Sequence, residues 1–253
     1  MKNKKLLCVA AAALLSLSAA VSSAGQKKTS PRPEERDGQQ VAAPATNGAS
    51  TAGATTTTDS SVAASPQYFY EFEQPEFVVS HIQIEHDGAG RGRVRFVRKS
   101  DAEPITEPLE LSPSVLQRIM TIWEMLRFLE TETSYQSEKQ FPHLGTSRLR
   151  MERGGRERAA EFNWTRNTDA SALVNEYRRV ADQALFVFEI NLAREIQPLD
   201  SPKLISRLDT LLDRKALSDP KQLLPLLRDL SIDERLPLIA RNHAGRLLKK
   251  IEK

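Results

Sequence analysis

Cysteine is almost absent from this chain of 253 residues, whose single cysteine is Cys8. Because residues 9–253 contain no thiol, disulfides, thiolate nucleophiles and cysteine metal ligands are excluded from that part of the chain. Aromatic residues are also few, at 6% of the sequence, and no apolar run of about 18 residues follows the first 24 positions. We therefore expect folding through an ordinary hydrophobic core, with no membrane span beyond the N-terminal segment.

Residues 1–24 have the pattern of a secretory signal peptide. Lysines at positions 2, 4 and 5 precede an apolar run over residues 6–20, and the small residues Ser22 and Ala24 come before Gly25. This order of charged, apolar and small residues is typical of a cleaved leader. A lipoprotein cysteine would follow the apolar run, whereas Cys8 lies near its start, so we interpret it as an apolar residue. The sequence thus predicts an exported protein, periplasmic or extracellular.

The net charge of +3 comes entirely from this predicted leader. The chain has 36 basic and 33 acidic residues, and Lys2, Lys4 and Lys5 account for the excess. A basic chain would favour nucleic acid as a partner. Removing the leader leaves a balanced chain without a basic stripe interleaved with exposed aromatics, so we expect no nucleic-acid partner.

Residues 25–66 are rich in Ala, Thr, Ser, Gly and Pro, and include the run Thr55–Thr58. Such a segment buries too little apolar surface to offset the entropy of ordering its backbone. We predict a disordered linker that acts as a spacer. A sugar-carrying stalk is the alternative.

Residues 67–198 are predicted to form an α+β domain in the order β-β-α-β-β-α. Alternating segments over 77–85 and 93–99 flank a glycine-rich turn, and a second alternating pair, 148–152 and 156–164, flanks Gly154-Gly155. Alternation on both sides of a glycine turn predicts an antiparallel hairpin.

Each predicted hairpin is followed by an amphipathic helix. Ser112 is expected to cap the first helix, and Thr168 or Asp169 the second, which ends before Pro198. The two tryptophans, Trp123 and Trp164, are expected in the core.

Residues 199–253 are predicted to form a three-helix C-terminal segment. Helix starts are indicated by Ser201-Pro202, by Asp219-Pro220 and by a capping box over Ser231–Glu234. The three helices are similar to a single HEAT-type unit, and such units need stacked neighbours. We therefore expect the segment to pack on its own domain or on a partner, with His243 hydrogen-bonded at the interface between segment and domain.

Four short motifs lie between Tyr68 and Lys253: Tyr70-x-Phe72-Glu73-x-Pro75, Ile84–Asp87, Glu161–Thr165 and Leu238–Ala244. With these motifs the chain resembles an uncharacterised family of exported bacterial proteins. The resemblance implies an exported bacterial context and no particular activity.

One group of residues is a candidate for catalysis: His81, Glu85, His86 and Asp87. A hydrolase would need these imidazole and carboxylate groups to converge in a pocket. The alternative is that the two histidines are exposed polar side chains beside a turn. A zinc site would need three or four converging ligands, so we predict no metal and no cofactor.

The glycines at positions 88, 90 and 92 resemble a phosphate-binding loop. A phosphate loop leads into a helix, whereas a strand is predicted here, so a hairpin turn is favoured. The sequence as a whole favours an exported non-enzymatic module that interacts with an envelope protein or a cell-wall component. A cell-envelope hydrolase that uses the cluster at 81–87 is the alternative, and a structural envelope protein without a fixed partner is a third.

Overall fold

The computed structural model describes residues 65–101 and 103–253. The predicted signal peptide lies outside these residues, as does the predicted linker except for its last two positions. The described chain from residue 65 onward belongs to one compact unit.

Six strands form one antiparallel sheet in the order β4-β3-β2-β1-β5-β6. Their bounds are β1 Gln67–Glu73, β2 Val79–Asp87, β3 Arg91–Arg98, β4 Ile105–Glu110, β5 Thr146–Arg153 and β6 Arg156–Phe162. The predicted α+β class is confirmed, as are the two hairpins, which are β2–β3 and β5–β6. The glycine-rich segment joins two strands, so it is a hairpin turn.

Two strands were not predicted, and one of them is central. β1 lies between the two hairpins and pairs antiparallel with both β2 and β5. Its side chains alternate, so that Tyr68, Tyr70 and Phe72 are buried beneath the helices. β4 contains Pro108, which lacks an N–H group and is accommodated because β4 is an edge strand.

Five α-helices accompany the sheet. Their bounds are α1 Pro113–Leu126, α2 Thr168–Ile196, α3 Ser201–Asp213, α4 Leu224–Ile232 and α5 Leu238–Ile251. Short 3-10 helices span Pro142–Leu144, Pro198–Asp200 and Pro220–Leu223. Within the described ranges, no helix combines the length and the apolar character required to cross a membrane.

Helix starts follow local side-chain chemistry, with two corrections to the sequence analysis. Ser112 caps α1 as predicted, because its hydroxyl accepts a hydrogen bond from the Val115 N–H at 3.4 Å. For α2 the prediction of Thr168 or Asp169 was wrong: Asn167 is the cap, and its Oδ1 accepts from the Ala170 N–H at 2.8 Å.

The predicted capping box over Ser231–Glu234 was also wrong. Ser231 and Ile232 end α4, where the buried Leu230 holds the helix against its neighbours. The Asp233 carboxylate accepts from the N–H and side chain of Arg235, and α5 begins only after Pro237. Packing therefore extends α4 through a segment whose local pattern favours a helix start.

The described chain contains two hydrophobic clusters that share α2. The first joins the sheet, α1 and the N-terminal half of α2; the second joins the C-terminal half of α2 to α3, α4 and α5. Trp123 is buried in the first cluster as expected. The expectation for Trp164 was wrong, because 43% of this residue is exposed beyond the end of β6.

The C-terminal helices pack on the chain's own α2, through apolar contacts and one polar junction centred on Gln183. Gln183 Oε1 accepts hydrogen bonds from the Ser218 hydroxyl at 3.1 Å and the Asp219 N–H at 3.0 Å, while its amide donates to Gln222. His243 does not lie at this junction, contrary to expectation. Its Nε2 lies 3.1 Å from an Asp209 carboxylate oxygen, so the contact joins α5 to α3 within the segment.

Candidate binding groove

The residues predicted as a catalytic cluster do not converge. His81 and Glu85 lie on the sheet face away from the helices, where His81 Nε2 is 2.7 Å from Glu71 Oε1 and Glu85 is 2.6 Å from Arg93 Nε. One Asp87 carboxylate oxygen accepts two backbone N–H bonds within the hairpin turn, each of 2.9 Å. His81, Glu85 and Asp87 therefore each bond to a different neighbouring group and not to one another.

His86 lies on the opposite face, beneath the helices. The expectation of an exposed side chain was wrong, since only 1% of the residue is exposed. The alternation of β2 places Ile82, Ile84 and His86 on the same side, and Tyr68 stacks against the imidazole with ring centroids 5.1 Å apart. Burial lowers the pKa of His86, which favours the neutral imidazole.

A hydrogen-bonded chain pairs both ring nitrogens of His86. Its Nδ1 donates to the Asp87 carbonyl at 2.8 Å, and its Nε2 accepts from the Tyr177 hydroxyl at 2.9 Å. The Tyr177 oxygen accepts from Trp123 Nε1 at 3.0 Å. This chain connects β2, α1 and α2, and its burial and complete pairing indicate a structural role.

A groove of about 920 Å³ opens at the other end of the helix-facing side of the sheet. It lies between one face of α2, the loop before β2, the loop before β5 and the end of β6. The contributing residues of α2 recur at intervals of three, four and seven positions and so lie on one helix face: Ser171, Val174, Asn175, Arg178, Ala181, Asp182 and Leu185. The volume is in the range typical of small-molecule sites.

Large apolar side chains line the groove yet remain accessible to solvent. Phe77 is 45% exposed, Val78 76%, Leu144 38% and Trp164 43%. Gly145 allows the loop before β5 to approach β1 closely, because a Cβ atom there would meet the Phe72 ring at 2.6 Å. Four accessible apolar residues around one concavity are typical of an interaction site.

The floor of the groove is polar. Ser147 and Arg178 line the groove, and both lie beside the buried Tyr70 hydroxyl, which forms no hydrogen bond of normal geometry and is not itself part of the lining. Burial raises the pKa of Tyr70, and the Arg178 guanidinium opposes that rise. Arg178 itself lies over the Phe72 ring, 5.2 Å from its centroid. The floor therefore presents donors to whatever enters.

The groove also contains acidic groups. Asp182 is one turn along α2 from Arg178, and desolvation by the surrounding protein raises its pKa, against the attraction of Arg207 and Arg178. Glu76 lies at the rim, with a carboxylate oxygen 3.4 Å from Lys99 Nζ. Within residues 65–101 and 103–253, no cluster of three or more His, Cys, Asp or Glu side chains is arranged to hold a metal ion.

The expectation that the sequence contains no Ser-x-x-Lys motif was wrong. Ser218-Asp219-Pro220-Lys221 has the Ser-x-x-Lys spacing of some acyl-transfer enzymes. The Ser218 hydroxyl donates to Gln183, and the residue is 9% exposed. Ser218 therefore serves the junction between α2 and the C-terminal helices.

Comparison of the chain with protein-family models and with curated proteins finds no match. The groove residues also had no recognisable motif. The only sequence pattern that pointed toward this site was the alternation of Tyr68, Tyr70 and Phe72. That alternation predicts a strand, β1, with one aromatic face that must be covered by other elements.

Proposed function

We propose that this protein is an exported, non-enzymatic binding module that holds an apolar envelope component in the groove beside α2. The observation that supports it is the groove itself, with four large apolar side chains accessible around a concavity of about 920 Å³. Exposing that much apolar surface is unfavourable in water, and a ligand that covers it gains the corresponding free energy.

The export part of the proposal is supported by the sequence of residues 1–24, in which charged, apolar and small residues follow one another in that order. The hydrolase alternative gains no support from the geometry. His86 faces the helices while His81 and Glu85 face away from them, so no pocket contains the four candidate groups.

A neutral fluorescent probe tests the proposal without involving the polar floor. N-phenyl-1-naphthylamine would be titrated into residues 58–253, the compact unit that contains both hydrophobic clusters. We expect saturable binding with enhanced fluorescence. Val78→Asp should weaken this binding at least about tenfold, because it places a charge in the apolar wall.

Ile239→Asp is the matched control. Ile239 is a β-branched residue that is 67% exposed, close to the 76% of Val78, and it lies in the first turn of α5, where an acidic residue is tolerated. Equal binding by the two variants, or no saturable binding by the parent chain, would contradict the proposed function.

A further inference from the structure

Behind the groove floor lies a hydrogen-bond donor that the described part of the chain does not use. Tyr70 is 1% exposed, and its hydroxyl has no partner. At the closed end of the same sheet face, by contrast, the Tyr177 hydroxyl has two partners. Burying a hydroxyl without a partner is unfavourable, and the two polar side chains beside it, Arg178 and Ser147, do line the groove.

A positive charge accompanies this donor. Among the described residues, no carboxylate lies within 4.0 Å of Arg178, whereas the next residue along, Arg179, pairs with Glu176 at 3.1 Å. Arg178 is held over the Phe72 ring instead, next to the Tyr70 hydroxyl. A guanidinium and a hydroxyl side by side form the donor set that suits a carboxylate.

We infer that the ligand is a monocarboxylate with an apolar chain, whose carboxylate binds Arg178 and the Ser147 hydroxyl while the chain lies along the apolar walls. This inference rests on the proposed function and adds the chemistry of the ligand's head group. Ser147 is 4% exposed and lines the groove, and like Arg178 it lies beside the Tyr70 hydroxyl.

The lining favours a simple amphiphile over a peptide terminus. A peptide would bring backbone N–H and C=O groups along its whole length, whereas the polar side chains of the lining, such as Asn163, Thr165 and Asn175, are fewer than the apolar ones. An aliphatic chain has no polar atoms to satisfy. Its carboxylate needs only the donors at the floor.

Asp182 provides a second test of whether charged side chains in the groove control the binding of a carboxylate. It lies near Arg178 and would repel a bound carboxylate when ionised. Asp182→Asn removes that repulsion. We expect it to tighten carboxylate binding several-fold and to leave the binding of a neutral analogue unchanged.

The experiment measures displacement of the neutral naphthylamine probe from residues 58–253 by decanoate and by decanol. The two compounds share an apolar chain and differ in the head group. We expect decanoate to bind about tenfold or more tightly than decanol, because a charge-assisted pair forms in a partly desolvated site.

Arg178→Met should abolish this preference while retaining decanol binding, and Ser147→Ala should reduce it several-fold. Arg179→Met is the control on the same helix, and it should keep the full preference because Arg179 pairs with Glu176 rather than lining the groove. Far-ultraviolet circular dichroism of each variant checks that the fold is retained.

Probe binding without a preference for decanoate would overturn this inference and leave the proposed function intact, whereas absence of probe binding would overturn both. An acetylated apolar tetrapeptide with a free C-terminal carboxylate is the third ligand. Tighter binding of that peptide than of decanoate would overturn the assignment to a simple amphiphile.

Discussion

The two ends of the helix-facing side of the sheet are built from similar residues and differ in how they are covered. At one end Tyr68, His86 and Trp123 are buried between the sheet and the helices α1 and α2. Both His86 ring nitrogens and the Trp123 N–H are hydrogen-bonded there. At the other end Trp164 is half-exposed, and the Tyr70 hydroxyl has no partner.

This contrast separates stability from binding within one sheet face. At the closed end the His86 imidazole, the Tyr177 hydroxyl and the Trp123 N–H rigidify the packing because each has a partner. The open end departs from this packing and pairing at several adjacent positions, and such local departures concentrate at functional sites. The same aromatic residue types thus predict different roles according to what covers them.

The largest expected difference is between the two tryptophans. Trp123→Ala should lower the free energy of unfolding by about 3–5 kcal/mol, because it leaves a cavity among buried rings. Trp164→Ala should cost less than about 1 kcal/mol, since nearly half of that side chain already contacts solvent. Urea unfolding followed by far-ultraviolet circular dichroism measures both, and equal costs would contradict the distinction between the two ends.

A smaller difference is expected between two tyrosines whose rings stack 5.1 Å apart. Tyr177→Phe should destabilise the fold by about 1–3 kcal/mol, because His86 Nε2 and Trp123 Nε1 both lose their partner. Tyr70→Phe removes a hydroxyl that has no partner, so its effect should stay within about 0.5 kcal/mol. A large cost for Tyr70→Phe would show that its hydroxyl is satisfied within the fold.

The smallest expected effect concerns pH at the closed end. Burial lowers the folded-state pKa of His86 from 6.5, so the unfolded chain binds the proton first on acidification. Stability from the neutral imidazole is therefore complete above about pH 6.5 and declines as the pH falls toward the lowered folded pKa. Between pH 7 and pH 5 the loss should reach at most about 2 kcal/mol.

His86→Gln isolates this contribution, because other titrating groups are common to both chains. The free energy of unfolding of the variant should change less between pH 7 and pH 5 than that of the parent. Parallel pH profiles for the two chains would mean that His86 is not held neutral by the fold.

The sequence was sufficient where local chemistry decides the structure. The β2–β3 and β5–β6 hairpins follow from alternation and glycine turns, and the start of α1 follows from Ser112. β1 was missed although its aromatic residues alternate. Its central position depends on pairing with β5, which lies nearly eighty positions further along the chain.

The binding groove depends still more on distant contacts. Its walls come from four separated segments of the chain, and each reads alone as an ordinary loop, strand end or helix face. The His86–Tyr177 hydrogen bond likewise joins residues 91 positions apart. Local sequence patterns identify the apolar face of a strand or helix. Which part of that face stays exposed to solvent depends on how the other elements pack in the assembled fold.

Helix α2 has a consequence for how the protein denatures. Residues 199–253 contain no Trp, Tyr or Phe, yet their hydrophobic cluster includes Phe186 and Ile190 of the helix that also packs on the sheet. Melting either half removes a supporting surface from the other, so the two halves should unfold as one cooperative transition. Tryptophan fluorescence from the sheet half would then report the melting of a segment that has no fluorophore of its own.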